Sequence, residues 1–272
     1  MPLSSAATAL SIDVALDYHL PADATLLLAI EALSDDEQWV DGEELRLNGV
    51  ALPPVETPPG APARYRWIQA PAGPLHLHYQ ADVRVDRPVV DMFPLPFTPL
   101  SAIPPHIAPW LFASRYCDPA PFDRVLAGEM NLPVGWVADG STIIAIRDWI
   151  CGHLAYQPVS TAQTTAADSY IARAGVCRDF AHLMIALSRA AGVPARFVSA
   201  YAWQLDPPDF HAVAEVWMNG QWHLVDATGL APNHGLVRIA RTADAVNASF
   251  MTIFGSAQMV AQRVCVRPTT QG

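Results

Sequence analysis

Between Gly175 and Gly192 the sequence carries an apolar stripe of helical period, and such a stripe has to be buried against something. Phe180, Leu183, Met184, Leu187 and Ala191 recur at spacings of three and four, the pattern of a helix with one face turned to a core. Gly175 breaks the chain ahead of it. Gly192 and Pro194 stop it, because glycine accepts the left-handed C-cap and proline cannot continue the ladder. Cys177 therefore stands in or next to the first turn. Free N–H groups and the positive end of a helix dipole favour a thiolate at such a position, and the same N–H groups can receive a developing oxyanion. A free cysteine is more commonly a small buried hydrophobe, so this segment alone does not identify a nucleophile.

A second segment changes the balance. His211 to Thr228 reads HAVAEVWMNGQWHLVDAT, two apolar-rich runs flanking Asn219-Gly220, the strongest short hairpin signal. A two-residue turn there sets Met218 opposite Gln221, and counting back sets Val213 opposite Asp226 and His211 opposite Thr228. With a side-chain period of two, all four of these project from one face, and His211 and Asp226 become diagonal neighbours roughly 7–8 Å apart at the backbone. His223 falls on the opposite face, and His182, five helical positions beyond Cys177, is rotated away from it. A histidine oriented by a carboxylate and delivered to a cysteine at a helix start is the nucleophile, base and orienter arrangement of thiol acyl transfer.

The stretch GVCRDFAHLMIALSRAAGVPARFVSAY, 175–201, resembles the nucleophile segment of the bacterial transglutaminase-like superfamily, a group that includes cysteine proteases, and HAVAEVWMNGQWHLVDAT resembles its histidine and aspartate segments. WLFASRYC, Trp110 to Cys117, is similar to a segment these proteins carry between a β-rich N-terminal region and the core, so the likeness spans most of the chain. The resemblance implies Cys177 as nucleophile, His211 as general base and Asp226 as orienting acid, on a papain-like core. It also implies that Asp179 ties the start of the helix to neighbouring backbone. The chain departs from the family pattern at Val213, where a tryptophan is usual, at Ala227, where Asp-Pro-Thr is usual, and at Thr242 in ARTADAV, where an acidic residue is usual.

The expected fold class is α+β: a papain-like transglutaminase core, in which the helix bearing Cys177 packs on an antiparallel sheet, preceded by a small antiparallel β-sandwich. Ile143, Ile146, Ile150 and Leu154 predict a helix over 141–155 with Asp139 or Ser141 as N-cap, a shorter helix is expected over 165–174, and 195–203 reads as a strand. In the N-terminal third, Ile12 to Leu20 and Leu75 to Val85 alternate apolar and polar as half-buried strands do, and further strands are expected at 25–33, 44–51 with a turn at Asn48-Gly49, and 64–70. Prolines recur without period between Pro88 and Pro109. They suit a stiff connector and place the division near residue 95: residues 1–95 as sandwich, 96–272 as catalytic core.

The formal charge of −10 excludes the basic footprint that nucleic acid or an anionic membrane requires. No apolar run approaches the ~20 residues of a bilayer span and the first six residues show no basic-then-apolar leader, so the expected location is the cytoplasm. Four cysteines without a C-x-x-C pair fit a reducing compartment, pairing among Cys117, Cys151 and Cys265 being the alternative. No calcium loop is present and no cofactor or metal is expected. His76 and His78 share a strand face, as a weak metal pair would, but alternate positions of this kind usually face solvent. Trp203, Trp217 and Trp222 are candidates for a cleft wall as much as for core, and Glu215 for a buried polar partner as much as for a substrate contact. The expected partner is a peptide or protein substrate, with homo-oligomerisation left open. The function read from these residues is cleavage of an amide bond through a thioester by a cysteine peptidase or amidase. The alternatives are transglutaminase-type transfer to an amine, a peptide-glycan amidase, and a catalytically silent scaffold. All sixteen basic residues are arginine, so self-cross-linking through lysine is excluded.

Overall fold

The alternating segments of the N-terminal third form strands, and their period decides which residues meet. The computed structural model describes residues 7–58, 60–133 and 137–269; the six-residue start discussed above lies outside the described residues. Six strands come first: β1 (Thr8–Leu20), β2 (Ala24–Leu28), β3 (Gln38–Leu47), β4 (Val50–Ala51), β5 (Arg66–Ala70) and β6 (Gly73–Val85). In β1, Leu10, Ile12, Val14 and Leu16 are buried, and in β6 so are Leu75, Leu77, Tyr79 and Val83, each alternating with more exposed neighbours. The turn expected within 44–51 is present: Asn48 and Gly49 take positive φ values of 48° and 82° and turn β3 into β4. The expected strand over 25–33 ends at Leu28. Residues 29–33 remain buried because they cross to other parts of the molecule, Ala29 N–H donating to Phe250 O at 3.0 Å and Leu33 N–H to Arg238 O at 2.9 Å.

The second half supplies α1 (Asp123–Gly128), α2 (Gly140–His153), β7 (Ala155–Tyr156), α3 (Ala166–Ala172), β8 (Ala174–Gly175), α4 (Cys177–Ala190), β9 (Ala195–Ala202), β10 (Phe210–Met218), β11 (Gln221–Val225), β12 (Leu236–Thr242), β13 (Met251–Phe254) and β14 (Gln258–Pro268). Asp139 caps α2, its carboxylate accepting from Thr142 N–H at 2.9 Å, and Thr165 caps α3. Strands β11-β10-β9-β12 form an antiparallel sheet, and α4 packs against β9 and β10. Leu183, Met184, Ile185 and Leu187 of α4 are fully buried and meet Ala212, Ala214, Val216 and Met218, alternate residues of β10. This is the α+β arrangement expected, with a β-rich N-terminal part.

Residues 251–268, which a linear division at residue 95 assigns to the core, return to the N-terminal sheets. β14 pairs with β1 from Leu10↔Pro268 to His19↔Gln258, and β13 pairs with β2. The two N-terminal sheets, β14-β1-β6-β3-β4 and β13-β2-β5, share an apolar core that also takes in Tyr201, Val237 and Ile239 from the central sheet. A buried ionic network ties the halves further. Glu215 is fully buried and accepts from Arg196 at 2.6 Å and from Arg238 at 2.7 Å. Arg238 also donates to Glu37 at 2.6 Å and to Asp35 at 3.3 Å, and its backbone N–H meets Gln38 Oε1 at 2.9 Å. Glu215 is thus a buried polar partner and makes no part of a substrate site.

All four cysteines are free. His76 and His78 lie against Asp17 and Asp13 of β1, and no group of three metal-ligating side chains occurs among the described residues. No helix among the described residues is long and apolar enough to cross a membrane.

Candidate active site

Helix α4 starts at Cys177 because Val176 is extended, at φ −107° and ψ 179°, and its N–H turns back to the Asp179 carboxylate at 2.8 Å. Asp179 is fully buried, held as well by Arg178 at 2.9 Å, and Arg178 donates onward to Thr161 O at 2.7 Å. Gly175 makes room for this knot: a Cβ at that position would lie 2.6 Å from the Asp179 Cβ. Cys177 is left half-buried at the first turn, with Phe180 one turn further on beneath it.

The hairpin has the register that counting predicts. Met218 stands opposite Gln221 and Ala214 opposite Val225, which carries His211 and Asp226 to the open end of the ladder on one face. His211 Nε2 lies 3.0 Å from Asp226 Oδ2. Its Nδ1 is buried and has no hydrogen-bond partner, so it is the nitrogen left free for Cys177, which lines the same cleft. Asp226 sits just beyond β11 in a bend that closes on its carboxylate. Thr228 N–H donates at 2.9 Å, Thr228 Oγ1 at 2.6 Å and Ala231 N–H at 3.1 Å. Burial opposes ionisation of this carboxyl, yet the hydrogen bond and positive charge of His211, followed by Thr228, hold it below its ordinary value. Burial likewise works against a charged imidazole, but the contacts with Asp226 and Cys177 outweigh it and raise His211 to about 9.

A cleft of about 560 Å³ opens over Cys177 and His211, walled by Tyr116, Phe210, Val246 and Phe250. Among the described residues no carboxylate lines it, whereas Arg115 and Arg178 do. Its far wall, 244–250, is hung on two groups that sequence reasoning did not assign. His182 Nε2 accepts from Ala245 N–H at 3.2 Å, and its ring stacks on Tyr116 at 5.1 Å. Burial, then the charge of Arg178, holds His182 down at about 4, which keeps it a neutral acceptor. Asp244 accepts from Tyr116 N–H at 3.1 Å and from Val246 N–H at 3.0 Å, two positions after the Thr242 that departs from the family pattern. No local periodicity marks either residue; both depend on a contact made across the fold.

The three tryptophans lie elsewhere. Trp217 and Trp222 are a cross-strand pair at the tip of the hairpin, six residues along β10 from His211 and so roughly 20 Å away. They pack with Trp110, Ile103 and Ile107, while Trp203 lies against His234. His223 Nε2 donates to Met218 O at 3.1 Å, away from Asp226.

Residues 135–227 match the sequence profile of the transglutaminase-like superfamily. A crystal structure from Cytophaga hutchinsonii, described as a putative cysteine protease, superposes with a TM-score of 0.89 at 34% identity, covering 98% of this chain and 93% of that one. The chain belongs to the transglutaminase-like superfamily. The transglutaminase-like match takes in α2, α4, the hairpin and both Cys177 and His211, and ends just past Asp226. An uncharacterised protein of Mycobacterium leprae is 31% identical over 93 residues, 30% of this chain and 32% of its own length, so the chain spans about a third of that curated relative. Membership of this family, and the likeness along almost the whole chain to a structure described as a putative cysteine protease, support a thiol-dependent enzyme in kind.

Proposed function

We propose that the protein cleaves amide bonds of a peptide or protein through a thioester on Cys177, with His211 as general base and acid and Asp226 as the group that orients it. The observation that supports this reading best is the division of labour at His211: Nε2 is engaged by a fully satisfied carboxylate, and Nδ1 is buried, unbonded and free for Cys177, which lines the same cleft. In the forward step the thiol proton passes to Nδ1 and the sulfur adds to the scissile carbonyl carbon. The oxyanion forms beside the backbone N–H of the α4 first turn, where the dipole is positive. The imidazolium then gives its proton to the leaving amine as the C–N bond breaks. Water, deprotonated by the same nitrogen, adds to the thioester and releases the acid and the thiol.

Asp226 serves by holding the tautomer and stabilising the imidazolium, and its four donors fix its position while it does so. The cleft favours a substrate with apolar side chains flanking the scissile carbonyl and disfavours none for negative charge. Hydrolysis is preferred to transfer because an amine acceptor must outcompete water for the thioester. The test is the pH dependence of Cys177 alkylation by iodoacetamide, read by mass spectrometry in wild type, His211→Ala and Asp226→Asn. Selective labelling of Cys177 at mildly acidic pH, lost without His211, is the expected result. Equal, slow labelling of Cys177 in all three proteins would sink the triad and leave the fold as a scaffold.

A further inference from the structure

The buried ionic network around Arg238 carries one more positive charge than negative. Arg87 pairs with Glu37, Arg238 with Glu37, Asp35 and Glu215, Arg196 with Glu215, and Arg241 with Asp35, so among the described residues four arginines meet three carboxylates. The mismatch is plainest at Arg87, which is 6% exposed. Its Nε donates to Glu37 at 2.9 Å, and its Nη1 donates to Asn233 O at 2.6 Å and to Leu236 O at 3.1 Å. Its Nη2 is buried and, among the described residues, has no hydrogen-bond partner. A buried charged donor left unmatched is both rare and costly. Burial, then the neighbouring charge of Arg238, lowers Arg87 to about 10, which still leaves it charged at neutral pH.

Arg87 lines a cavity of about 280 Å³ between β11 and the segment that follows β6. Among the described residues Glu37 is the only carboxylate in its wall, and Glu37 Oε2 is already taken by Arg87 and Arg238. His223 is lowered by burial and adds no positive charge at neutral pH. Val89, Val90, Met92 and Trp222 make the wall largely apolar. We propose that this cavity binds a small organic monocarboxylate, whose charged end accepts from Arg87 Nη2 and whose apolar body lies against Trp222 and the two valines. One excess positive charge calls for a monoanion, and Glu37 stands against a second negative charge. The apolar walls call for an organic body behind the carboxylate, and a charge-assisted hydrogen bond at one end fixes its orientation. None of these residues lines the Cys177 cleft, so the inference does not depend on the thioester reading.

The test is isothermal titration calorimetry of the full chain with phenylacetate and with phenylacetamide, its uncharged isostere, in chloride-free buffer near neutral pH. Phenylacetate is expected to bind about tenfold or more tightly than phenylacetamide, because a hydrogen bond to a buried charge separates the two. Val89→Trp changes a residue that is 52% exposed and leaves every bond of Arg87 in place. It sets an indole in the cavity and is expected to abolish phenylacetate binding. Absence of phenylacetate binding to the wild-type chain overturns the proposal. Equal affinity for acid and amide overturns it as well, since the cavity would then be an apolar hole that makes no use of Arg87. So does phenylacetate binding that is unchanged in Val89→Trp, which would place the ligand elsewhere, as beside Arg115 in the Cys177 cleft.

Discussion

A single buried imidazole links chemistry to stability here. His211 has a folded-state pKa of about 9 against about 6.5 in an unfolded chain. Its contribution is therefore fully present below pH 6.5 and disappears as pH rises through 9, an effect on the order of 3 kcal/mol. Asp226 has the opposite sign: its pKa is lowered, so its contribution holds above the ordinary carboxyl range and is lost as pH falls below it. Thermal unfolding followed from pH 6 to 9.5 should show a steeper decline for wild type than for Asp226→Asn, in which His211 loses the partner that raises it. Parallel slopes would mean that the pair is not formed in solution. Gly175→Ala belongs to the same scale. Its new methyl meets the buried Asp179 Cβ at 2.6 Å, so the helix start must shift. A loss of about 1–3 kcal/mol in urea unfolding is expected, together with slower alkylation of Cys177, because Asp179 also holds the Val176 N–H.

At the scale of elements, α4 and the β10–β11 hairpin carry most of what was legible in the sequence. The helix stripe announces its buried face, and the Asn219-Gly220 turn fixes register so tightly that the pairing of His211 with Asp226 follows by counting. Both are local signals. The 25–33 run shows where local signals stop: its apolar residues continue past Leu28 because the chain remains buried while it crosses toward β12, and burial alone cannot distinguish that from a strand. The β7–β8 pair was illegible for the same reason, since a two-residue parallel pair has no period of its own. The three tryptophans had the composition of a cleft wall, but strand position sets Trp217 and Trp222 near the hairpin tip, and Trp203 follows the far end of β9 and lies against His234. Leu183 of α4 is fully buried between helix and sheet. Leu183→Ala is expected to cost about 2–5 kcal/mol by chemical denaturation, with the spread set by how far the sheet collapses onto the gap.

Across the whole molecule, the N-terminal sheets and the half that carries Cys177 are joined by charge as well as by apolar contact. Arg238 is nearly fully buried, at 3% exposure, between Glu215 of β10 and Asp35 and Glu37 of the segment leading into β3. Removing one member of such a network strands the others, so Arg238→Ala should cost about 3–5 kcal/mol, whereas a combined Arg238→Met, Glu215→Leu change should recover part of the loss. Single-mutant unfolding in one cooperative transition would mark the two halves as a single thermodynamic unit, and two separated transitions would mark them as independent.

The pairing of β14 with β1 has a consequence for the order in which the protein can be made. β1 leaves the ribosome well before β14, one of its two neighbours, which is synthesised only after every residue of the Cys177, His211 and Asp226 region. Until then the long apolar edge of β1 is unpaired, a state in which sheets are prone to join other chains. The half that carries Cys177 must therefore emerge before this sheet can close, and the nascent chain depends for that interval on whatever keeps β1 from finding a partner outside the molecule.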